Sequence, residues 1–375
     1  MSLTNIPNDC LLACLARVPY ADLRNAIPST SKQLRDAVAS AACRKTRELA
    51  GCVEYGVFAM TNSGGFDGQR DGFLITRSAG WRTAATPAAL DDDVFFGWCR
   101  PFQHDVVVTR ALKPMSINAY NAGQNAWRDI RPLVRDVNHT VNGRSYTYDT
   151  LAYHATVASV GSNIVVLGGG ILENYERFMT RMDVYDPAED VWSKMPDLPF
   201  RSHRNLAVEV DGKLYCWGSN VEPEARRETF VYDPATRTWT NGPRLPYEPW
   251  AAEYSEPFLP GFELSKRLCI MGPFILAPGN VRYSAFVWDP TRETWDDFPV
   301  PPVMGSVSQM DGHTVVCGRC RSDQPTEQPE SRLLGDMRLF VLDAGSRDWV
   351  EWDIPDSLPA GVGHPSTRYT AVRIG

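Results

Sequence analysis

Apolar and polar residues alternate with a period of two along most of the chain, in short runs separated by turn residues. The clearest run, "RNLAVEVDGKLYCWGS" at 204–219, places Asp211-Gly212 between two alternating segments. An Asp-Gly pair in that position is a strong signal for a tight hairpin. Similar pairs of segments occur at 154–170 and 306–319. The pattern therefore predicts antiparallel hairpins, while 28 Gly and 28 Pro leave few stretches that suit a helix.

A second hairpin lies downstream of each of these, and its turn is spelled almost identically in three places. They are "VYDPAEDVW" at 184–192, "VYDPATRTW" at 231–239 and "VWDPTRETW" at 287–295. Asp favours the start of a turn, and Pro cannot donate to a sheet ladder. Asp-Pro is therefore expected to end one strand, and the Trp six residues after the Asp to open the next.

The same spacing before a Trp extends to the rest of the chain. Asp343 precedes Trp349 and Asn121 precedes Trp127 by six residues, and Ile75 stands at the Asp position before Trp81. We call the six residues the anchor Trp: Trp81, Trp127, Trp192, Trp239, Trp295 and Trp349, separated by 46, 65, 47, 56 and 54 residues. We expect these indoles to fill the space between neighbouring units, whose loops vary in length.

Each unit contains two hairpins and thus four strands. We expect the second strand to end in glycine, which permits close backbone approach where small sheets crowd together. The glycines are Gly168-Gly169, Gly218, Gly272 and Gly318. Six units of this length predict an all-β fold, a six-bladed β-propeller.

The first unit begins at a second strand, since "EYGVFAMTN" at 54–62 matches one, and its own first strand is missing. The segment "STRYTAVRIG" at 366–375 reads as a first strand. We predict that 366–375 completes the first blade, which removes the open sheet edges that such a ring would leave. The propeller is therefore assigned to residues 53–375.

Residues 2–48 have a different pattern and are predicted to form a small all-α domain. Leu11, Leu12 and Leu15 lie on one helical face, and Pro19 ends that helix. Two more short helices are expected before residue 48. Three helices of this size do not make a good core alone. Their apolar faces either pack on the propeller or dock another protein.

Charge and composition exclude several classes of function. The chain has 375 residues and a net charge of −7, which disfavours nucleic-acid and anionic-membrane partners. No apolar run approaches the roughly 20 residues of a membrane-spanning helix, and no secretory signal is expected. Nine scattered Cys suit a reducing compartment, so we expect a cytoplasmic or nuclear location.

Candidate chemistry is sparse. Cys317 and Cys320 form a single CxxC without a second pair or a nearby His, so we predict incidental thiols and no metal or other cofactor. His154 and His203 both start predicted first strands and are the candidates for a site near the propeller channel. The alternative is that they are structural histidines with hydrogen-bond partners. The sequence therefore predicts a protein that is not an enzyme.

The repeats resemble kelch repeats, on "VVLGGG" followed by "MDVYDPAEDVWSKMPDLP", although other copies keep one Gly. Residues 2–45 resemble an F-box in the order Ile6-Pro7, Leu11-Leu12, Val18-Pro19 and a later Ser31-Lys32 segment. An F-box followed by kelch repeats is similar to a family of substrate receptors of cullin–RING (SCF-type) ubiquitin ligases. The resemblance implies that a Skp-type adaptor binds Ile6, Pro7, Leu11, Leu12, Leu15, Val18, Pro19, Leu23 and Leu34.

The resemblance also implies that the propeller binds a protein substrate, whose identity the sequence leaves open. Loops that precede first strands carry arginine and aromatic residues, which binding sites favour. These candidates are Arg201, His203, Arg204, Tyr247, Trp250, His364 and Arg368. Their alternative roles are blade-edge salt bridges and core packing. Residues 320–332 are expected to form a long polar loop. The rival hypotheses are a kelch enzyme, a metal-dependent specifier protein and a scaffold without ubiquitin.

Overall fold

A computed structural model of the protein describes most of the chain between residues 55 and 352 and shorter parts on either side. The described residues are 8–15, 17–18, 34, 37, 42–43, 46–47, 55–60, 72–76, 80–84, 96–102, 105–110, 117–122, 124–133, 137–141, 144–148, 155–169, 180–200, 202–220, 227–249, 260–277, 280–310, 313–321, 333–343, 345–352 and 368–373. Within these ranges, no helix has the length and apolar character needed to cross a membrane.

The described part of the chain is mostly β-strand. Its elements are α1 (Asn8–Leu15), β1 (Tyr55–Met60), β2 (Gly72–Thr76), β3 (Gly80–Thr83), β4 (Phe96–Phe102), β5 (Asp105–Arg110), β6 (Ile117–Asn121), β7 (Ala126–Ile130), β8 (Val137–Val141), β9 (Arg144–Tyr148), β10 (Thr156–Val160), β11 (Asn163–Leu167), β12 (Met182–Asp186), β13 (Val191–Met195), β14 (Ser202–Val210), β15 (Lys213–Asn220), β16 (Phe230–Asp233), β17 (Thr238–Asn241), β18 (Glu248–Pro249), β19 (Gly261–Leu264), β20 (Arg267–Ala277), β21 (Asn280–Asp289), β22 (Thr294–Phe298), β23 (Val303–Met310), β24 (His313–Arg321), β25 (Leu333–Leu342), β26 (Trp349–Trp352) and β27 (Arg368–Arg373).

Six of the sheets among these elements share one plan, in which neighbouring strands are antiparallel. They are sheet 1 (β27-β1-β2-β3), sheet 2 (β4-β5-β6-β7), sheet 3 (β10-β11-β12-β13), sheet 4 (β14-β15-β16-β17), sheet 5 (β18 and β19 on β20, then β21-β22) and sheet 6 (β23-β24-β25-β26). In sheet 5 the first strand is divided, since β18 and β19 both pair with β20. A separate hairpin, β8-β9, lies between sheets 2 and 3 in sequence.

The first strands of the six sheets contact one another in a closed cycle. The order is β27, β4, β10, β14, β19, β23 and back to β27. Sheets arranged radially around their first strands are the arrangement of a β-propeller. The predicted all-β propeller arrangement is therefore present.

The hydrophobic core lies between the sheets. Among the described residues, five clusters each join two neighbouring sheets, and Phe58 of sheet 1 packs 4.8 Å from Tyr120 of sheet 2 between ring centroids. Trp217 of sheet 4, for example, packs in one cluster with Phe274 of sheet 5. Each sheet thus depends on its two neighbours to cover its apolar faces.

Sheet 1 is completed by residues from the far end of the sequence. β27 pairs antiparallel with β1, from Arg368 opposite Met60 to Arg373 opposite Tyr55. This is the pairing that the sequence predicts between 366–375 and 54–62. In sheets 3 to 5 a short turn joins β10 to β11, β14 to β15 and β19 to β20, whereas here the ladder itself links remote parts of the chain.

The repeated Asp is the first residue of a turn, as predicted. Asp186 Oδ1 accepts the N–H of Ala188 at 2.8 Å, and Asp343 Oδ1 accepts that of Gly345 at 2.8 Å. The fourth residue after the Asp adopts the left-handed conformation in these copies, for example Asp190 at φ 54. The turn therefore holds a non-glycine residue in the region that glycine usually occupies.

The sequence prediction placed the Asp position of the first copy one residue too early, at Ile75. Ile75 lies opposite Trp81, as Tyr185 lies opposite Trp192. The Asp position in sheet 1 is therefore Thr76, and its turn is one residue shorter than the others.

The prediction that second strands end in glycine is correct for β11 alone among the four. β11 ends at Leu167, and Gly168 and Gly169 follow with φ of 60 and 99. β15, β20 and β24 continue beyond their glycines to Asn220, Ala277 and Arg321. Pairing with the third strands extends β20 and β24 past the expected end, and pairing with the first strand β14 extends β15.

Four of the anchor Trp residues donate a hydrogen bond to a backbone carbonyl of the preceding sheet. The indole Nε1–H of Trp192 reaches Arg131 O at 2.7 Å, and that of Trp239 reaches Pro196 O at 3.1 Å. Trp295 donates to Arg244 O and Trp349 to Pro299 O, both at 2.8 Å. The indoles are half-exposed, so they join neighbouring sheets by polar contact as well as by packing.

Replacing Trp239 with Phe should lower the free energy of unfolding by about 1 kcal/mol, because the aromatic ring remains while the hydrogen bond is lost. Guanidinium denaturation measures this change. Trp239→Leu serves as the comparison, since it also removes the ring contact with Tyr232 at 5.2 Å and should cost more. Equal losses in the two variants would contradict a separate role for the N–H.

The first strands carry a second set of links between sheets. Glu209 Oε2 accepts the N–H of Gly161 at 2.9 Å, and Glu263 Oε2 accepts that of Asp211 at 3.1 Å. Gln309 accepts the Glu263 N–H at 2.8 Å and donates to the Glu263 carbonyl. In each case a first-strand side chain binds backbone of the preceding sheet. We call these contacts the first-strand latches.

Partial burial raises the pKa of Glu209, and the nearby Glu263 carboxylate raises it further, against the opposing effect of the Gly161 N–H. A folded-state pKa above the unfolded value favours folding at low pH, and that contribution is lost as pH rises through the raised pKa. Glu209→Gln should therefore melt on the order of 1–3 °C higher than the parent at neutral pH. The advantage should vanish below the ordinary glutamate pKa. Thermal melts across pH measure it, and a pH-independent difference would contradict this origin.

Candidate functional site

The first strands of the six sheets begin at one rim of the propeller. In each sheet the start of the first strand pairs with the end of the second, as Ser202 with Asn220 and Arg368 with Met60. Because the first strands of a propeller run in the same direction, these starts lie on one face. We call this face the first-strand rim.

The structure places some of the candidates on this rim. His203 and Arg204 lie in the first residues of β14, and Arg368 is the first residue of β27. Tyr247 immediately precedes β18. Arg201, Trp250 and His364 lie outside the described residues.

Tyr247 is one of the exposed large apolar side chains among the described residues, at 39% exposure. Its ring packs 5.6 Å from that of Phe286 in sheet 5, between centroids. One side of the phenol therefore rests on the core and the other faces solvent. Tyrosine held in this way presents a large contact area at low conformational entropy cost, which suits protein recognition.

The loop that carries Tyr247 is fixed from below by an arginine. Arg227 donates to Leu245 O at 2.8 and 2.6 Å and to Pro246 O at 2.7 Å. The Leu245 N–H in turn binds Arg227 O at 2.8 Å. Tyr247 therefore follows a Leu-Pro segment that is held in place by hydrogen bonds. The role of Arg227 is to hold that segment.

The same support occurs one sheet earlier. The Leu198 N–H binds Thr180 O at 2.6 Å, and Phe200 stacks on Phe230 at 4.5 Å between ring centroids. Phe200 is 8% exposed, so this copy is buried where Tyr247 is open. The repeated Leu-Pro-aromatic segment is thus structural, and exposure distinguishes the sheet 5 copy. The Arg227 and Phe286 contributions were not predicted from the sequence, although the repeat "LPF" and "LPY" marks the segment.

Three cysteines of the propeller, Cys216, Cys269 and Cys317, are buried. Cys317 lies in the core between sheets 1 and 6, and burial raises its thiol pKa, the opposite of what a thiolate ligand needs. Burial also raises the pKa of Cys216, and that of Cys269 to about 12. Among the described residues, no group of three or more His, Cys, Asp or Glu is placed to hold a metal ion.

The two histidines proposed for a site near the channel are largely outside the described part of the structure. His154 is not among them, and for His203 the backbone alone is described. The long loop predicted at 320–332 also falls mostly outside them, although Cys320 and Arg321 belong to β24.

The N-terminal residues form a cluster of their own. Leu11, Leu12 and Leu15 of α1 pack with Leu34 and Cys43, all at 9% exposure or less. Val18 is half-buried against this cluster, and Ile6, Pro7, Pro19 and Leu23 lie outside the described residues. These apolar side chains therefore cover one another within the described part of the N-terminal unit.

Arg47 closes the end of α1. Its Nη1 donates to the carbonyl of Val18 at 2.7 Å and to that of Leu15 at 3.5 Å. An arginine near a helix C-terminus satisfies carbonyls that lack helical partners. The opposite side of α1 is exposed at Cys10 and Cys14.

Comparison with protein families gives a match for two of the sheets. Residues 152–199 and residues 201–246 each match a family model described as Kelch motif. The first stretch contains sheet 3 and the second contains sheet 4, each with the Leu-Pro segment behind it. A comparison with curated proteins finds no match.

The chain therefore contains kelch repeats in a propeller arrangement. Kelch repeats in this fold indicate a module for protein interaction, and the exposed Tyr247 on the first-strand rim is the described residue that best suits such contacts.

Proposed function

We propose that the chain is a substrate receptor of an SCF-type ubiquitin ligase. In this proposal residues 2–48 are an F-box that docks a Skp-type adaptor, and residues 53–375 bind the protein to be ubiquitinated. The observation that carries the proposal is the combination of two units. A helical cluster with its own leucine core precedes a kelch-repeat propeller, in the order that the F-box-like sequence implies.

The proposal takes the propeller to have six blades, one for each anchor Trp. Its support is the closed cycle of first strands, from β27 through β4, β10, β14 and β19 to β23. Each of the six sheets also contains one anchor Trp opposite a third-strand residue.

The burial of the leucines refines how the adaptor would be bound. Leu11, Leu12 and Leu15 are at most 6% exposed, so in this conformation they support the helix from inside. Residues on the other side of α1, Cys10 and Cys14, are the ones accessible to an adaptor. We therefore assign direct adaptor contact to this exposed side.

Co-purification with the adaptor tests the docking. The full chain should retain a Skp-type adaptor, and a variant lacking residues 1–45 should not. Cys14→Glu, which places a charge on the exposed side of α1, should weaken binding at least tenfold. Val350→Glu, which places the same charge on an exposed residue of sheet 6, is the matched control and should change binding little. Absence of adaptor binding by the full chain would refute the ligase role and leave the scaffold hypothesis.

Substrate binding is tested on the first-strand rim. Tyr247→Ala should lower the amount of bound partner protein, which proximity labelling with the proteasome inhibited identifies. Val350→Ala is the matched control, because Val350 is also exposed, at 54%, but lies on the outermost strand of sheet 6. Equal loss in both variants would argue against the rim as the binding face.

The proposal assigns no catalytic residue, metal or other cofactor to the chain. It assigns neither nucleic acid nor a membrane as a partner, and it places the protein in the cytoplasm or nucleus. Metal analysis of the purified full chain addresses the main rival. Stoichiometric bound metal would favour an enzyme or a metal-dependent specifier protein instead.

A further inference from the structure

The first-strand latches occupy one equivalent position in successive sheets. Each anchor Trp ends a row of paired residues that crosses its sheet; in sheet 4 the row is Trp239, Tyr232, Leu214 and Glu209. Glu209 is the first-strand member of that row, and Glu263 in sheet 5 is its equivalent, opposite Leu268. The latch position is therefore defined by register.

Sheets 3 to 6 all have a polar side chain at the latch position. It is Ser159 in sheet 3, Glu209 in sheet 4, Glu263 in sheet 5 and Gln309 in sheet 6. The last three bind backbone of the preceding sheet directly. Each latch adds a hydrogen bond between two neighbouring sheets, so the latches reinforce three interfaces.

In sheets 1 and 2 the residue at the latch position is not polar. There the row runs from Trp81 through Ile75 and Val57 to Ala371. In sheet 2 the row from Trp127 ends at Pro101. Neither alanine nor proline has a side-chain hydrogen-bonding group. Both interfaces of sheet 1, with sheet 6 and with sheet 2, therefore have a latch position that cannot form this contact.

Sheet 1 differs in a second, independent way. Its first and second strands are held by the β27-β1 ladder between residues that are remote in sequence, whereas Gly161, Asp211 and Ser265 lie in short turns that tether the corresponding strands of sheets 3 to 5. A strand tethered by a short turn remains beside its partner after its hydrogen bonds break, because closure of a short loop costs little entropy. β27 has no such tether to β1.

We propose that sheet 1 is the opening point of the ring: β27 separates from β1 in a local transition while sheets 3 to 6 stay closed. The transition breaks the ladder between Arg368–Arg373 and Tyr55–Met60 and leaves the rest of the propeller intact. Local openings of this kind have lower free energy than global unfolding and are visible to amide hydrogen exchange. The proposal is independent of the ligase role, since it concerns the propeller alone.

Hydrogen exchange of the full chain, followed by mass spectrometry under native conditions, tests this directly. Amides of β27 and β1 should exchange at least tenfold faster than those of β14, β15, β19 and β20, after correction for intrinsic rates. Equal or slower exchange in β27 and β1 would overturn the proposal.

A gain-of-contact variant tests the role of the latch. Ala371→Gln gives sheet 1 an amide at the latch position and should slow β27 exchange severalfold without changing β14. Thr370→Gln is the matched control, because adjacent residues of a strand point to opposite faces. Equal effects of the two variants would overturn the assignment of the latch position. If Ala371→Gln does not fold, Glu209→Ala supplies the reverse test and should accelerate exchange in β14.

Discussion

Gly305→Ala should lower the free energy of unfolding by about 3 kcal/mol or more. A Cβ at residue 305 would lie 2.5 Å from the Gly318 Cα and would overlap the Cys317 carbonyl oxygen. Both obstacles are backbone atoms of β24, the neighbouring strand, so no rotamer change relieves them. The strands of sheet 6 would have to separate. Chemical denaturation, with the midpoint and slope fitted together, measures the loss.

Gly345→Ala is the matched control for this result. Gly345 lies in an exposed turn, and the nearest atom to an added methyl group is Asp343 Oδ1 at 3.2 Å, the end of a side chain. The free energy of unfolding should change by less than about 0.5 kcal/mol. A similar loss in both variants would mean that close approach at Gly305 does not determine the cost.

Gly261→Ala should lower the free energy of unfolding by about 2 kcal/mol, through a collision between sheets 4 and 5. The added Cβ would lie 2.9 Å from Trp217 Cζ2 and 3.2 Å from Val208 Cγ1. Trp217 is 1% exposed and fills the place that Leu167 fills in sheet 3. The large indole fits there because residue 261 has no side chain.

A double-mutant cycle with Trp217→Leu isolates this contact. The leucine shortens the side chain, so Gly261→Ala should cost much less in that background and the two changes should be non-additive by more than 1 kcal/mol. Trp217→Leu alone should be destabilising, at about 3 kcal/mol, because it leaves a cavity. Simple additivity of the two losses would show that residue 261 is constrained by something other than the indole.

Periodicity predicted the strands because alternation and turn residues are local properties. Asp211-Gly212 forms a turn in which both residues are left-handed, with φ of 49 and 77, as an Asp-Gly hairpin requires. The corresponding turn in sheet 5 consists of Ser265 and Lys266, also left-handed at φ 51 and 63. Neither residue type indicates such a turn. The pairing of Leu264 with Arg267 leaves only these two residues for the turn. Lys266 Nζ also lies 2.8 Å from Asp211 Oδ1, in the equivalent turn of sheet 4.

Other features depended on contacts that no local pattern contains. The β8-β9 hairpin is an exception, because its strands flank Asn142-Gly143, a local turn signal in the sequence. The first-strand latches and the Arg227 support have no local sequence signal, because each joins residues that are neighbours only after the sheets assemble. The anchor Trp residues were predicted as packing groups; their hydrogen bonds required knowledge of which carbonyl lies beside each indole.

The N-terminal helices show the same limit. The apolar spacing of Leu11, Leu12 and Leu15 predicts a buried face correctly, but spacing does not state what buries it. The cluster with Leu34 and Cys43 uses that face inside the N-terminal unit. The accessible side of α1 consequently includes Cys10 and Cys14, which a search for large hydrophobic docking residues passes over.

The hydrogen bonds of the anchor Trp have a consequence for how such a ring can diversify. Each indole binds a main-chain carbonyl just beyond the last strand of the preceding sheet, at Arg131, Pro196, Arg244 or Pro299. Every residue type supplies that carbonyl. This particular link therefore requires no compensating substitution in the neighbouring sheet when a unit is duplicated or its surface loops change. As far as the indole contact is concerned, the loops that would bind a ligand vary independently of the bond that joins two sheets.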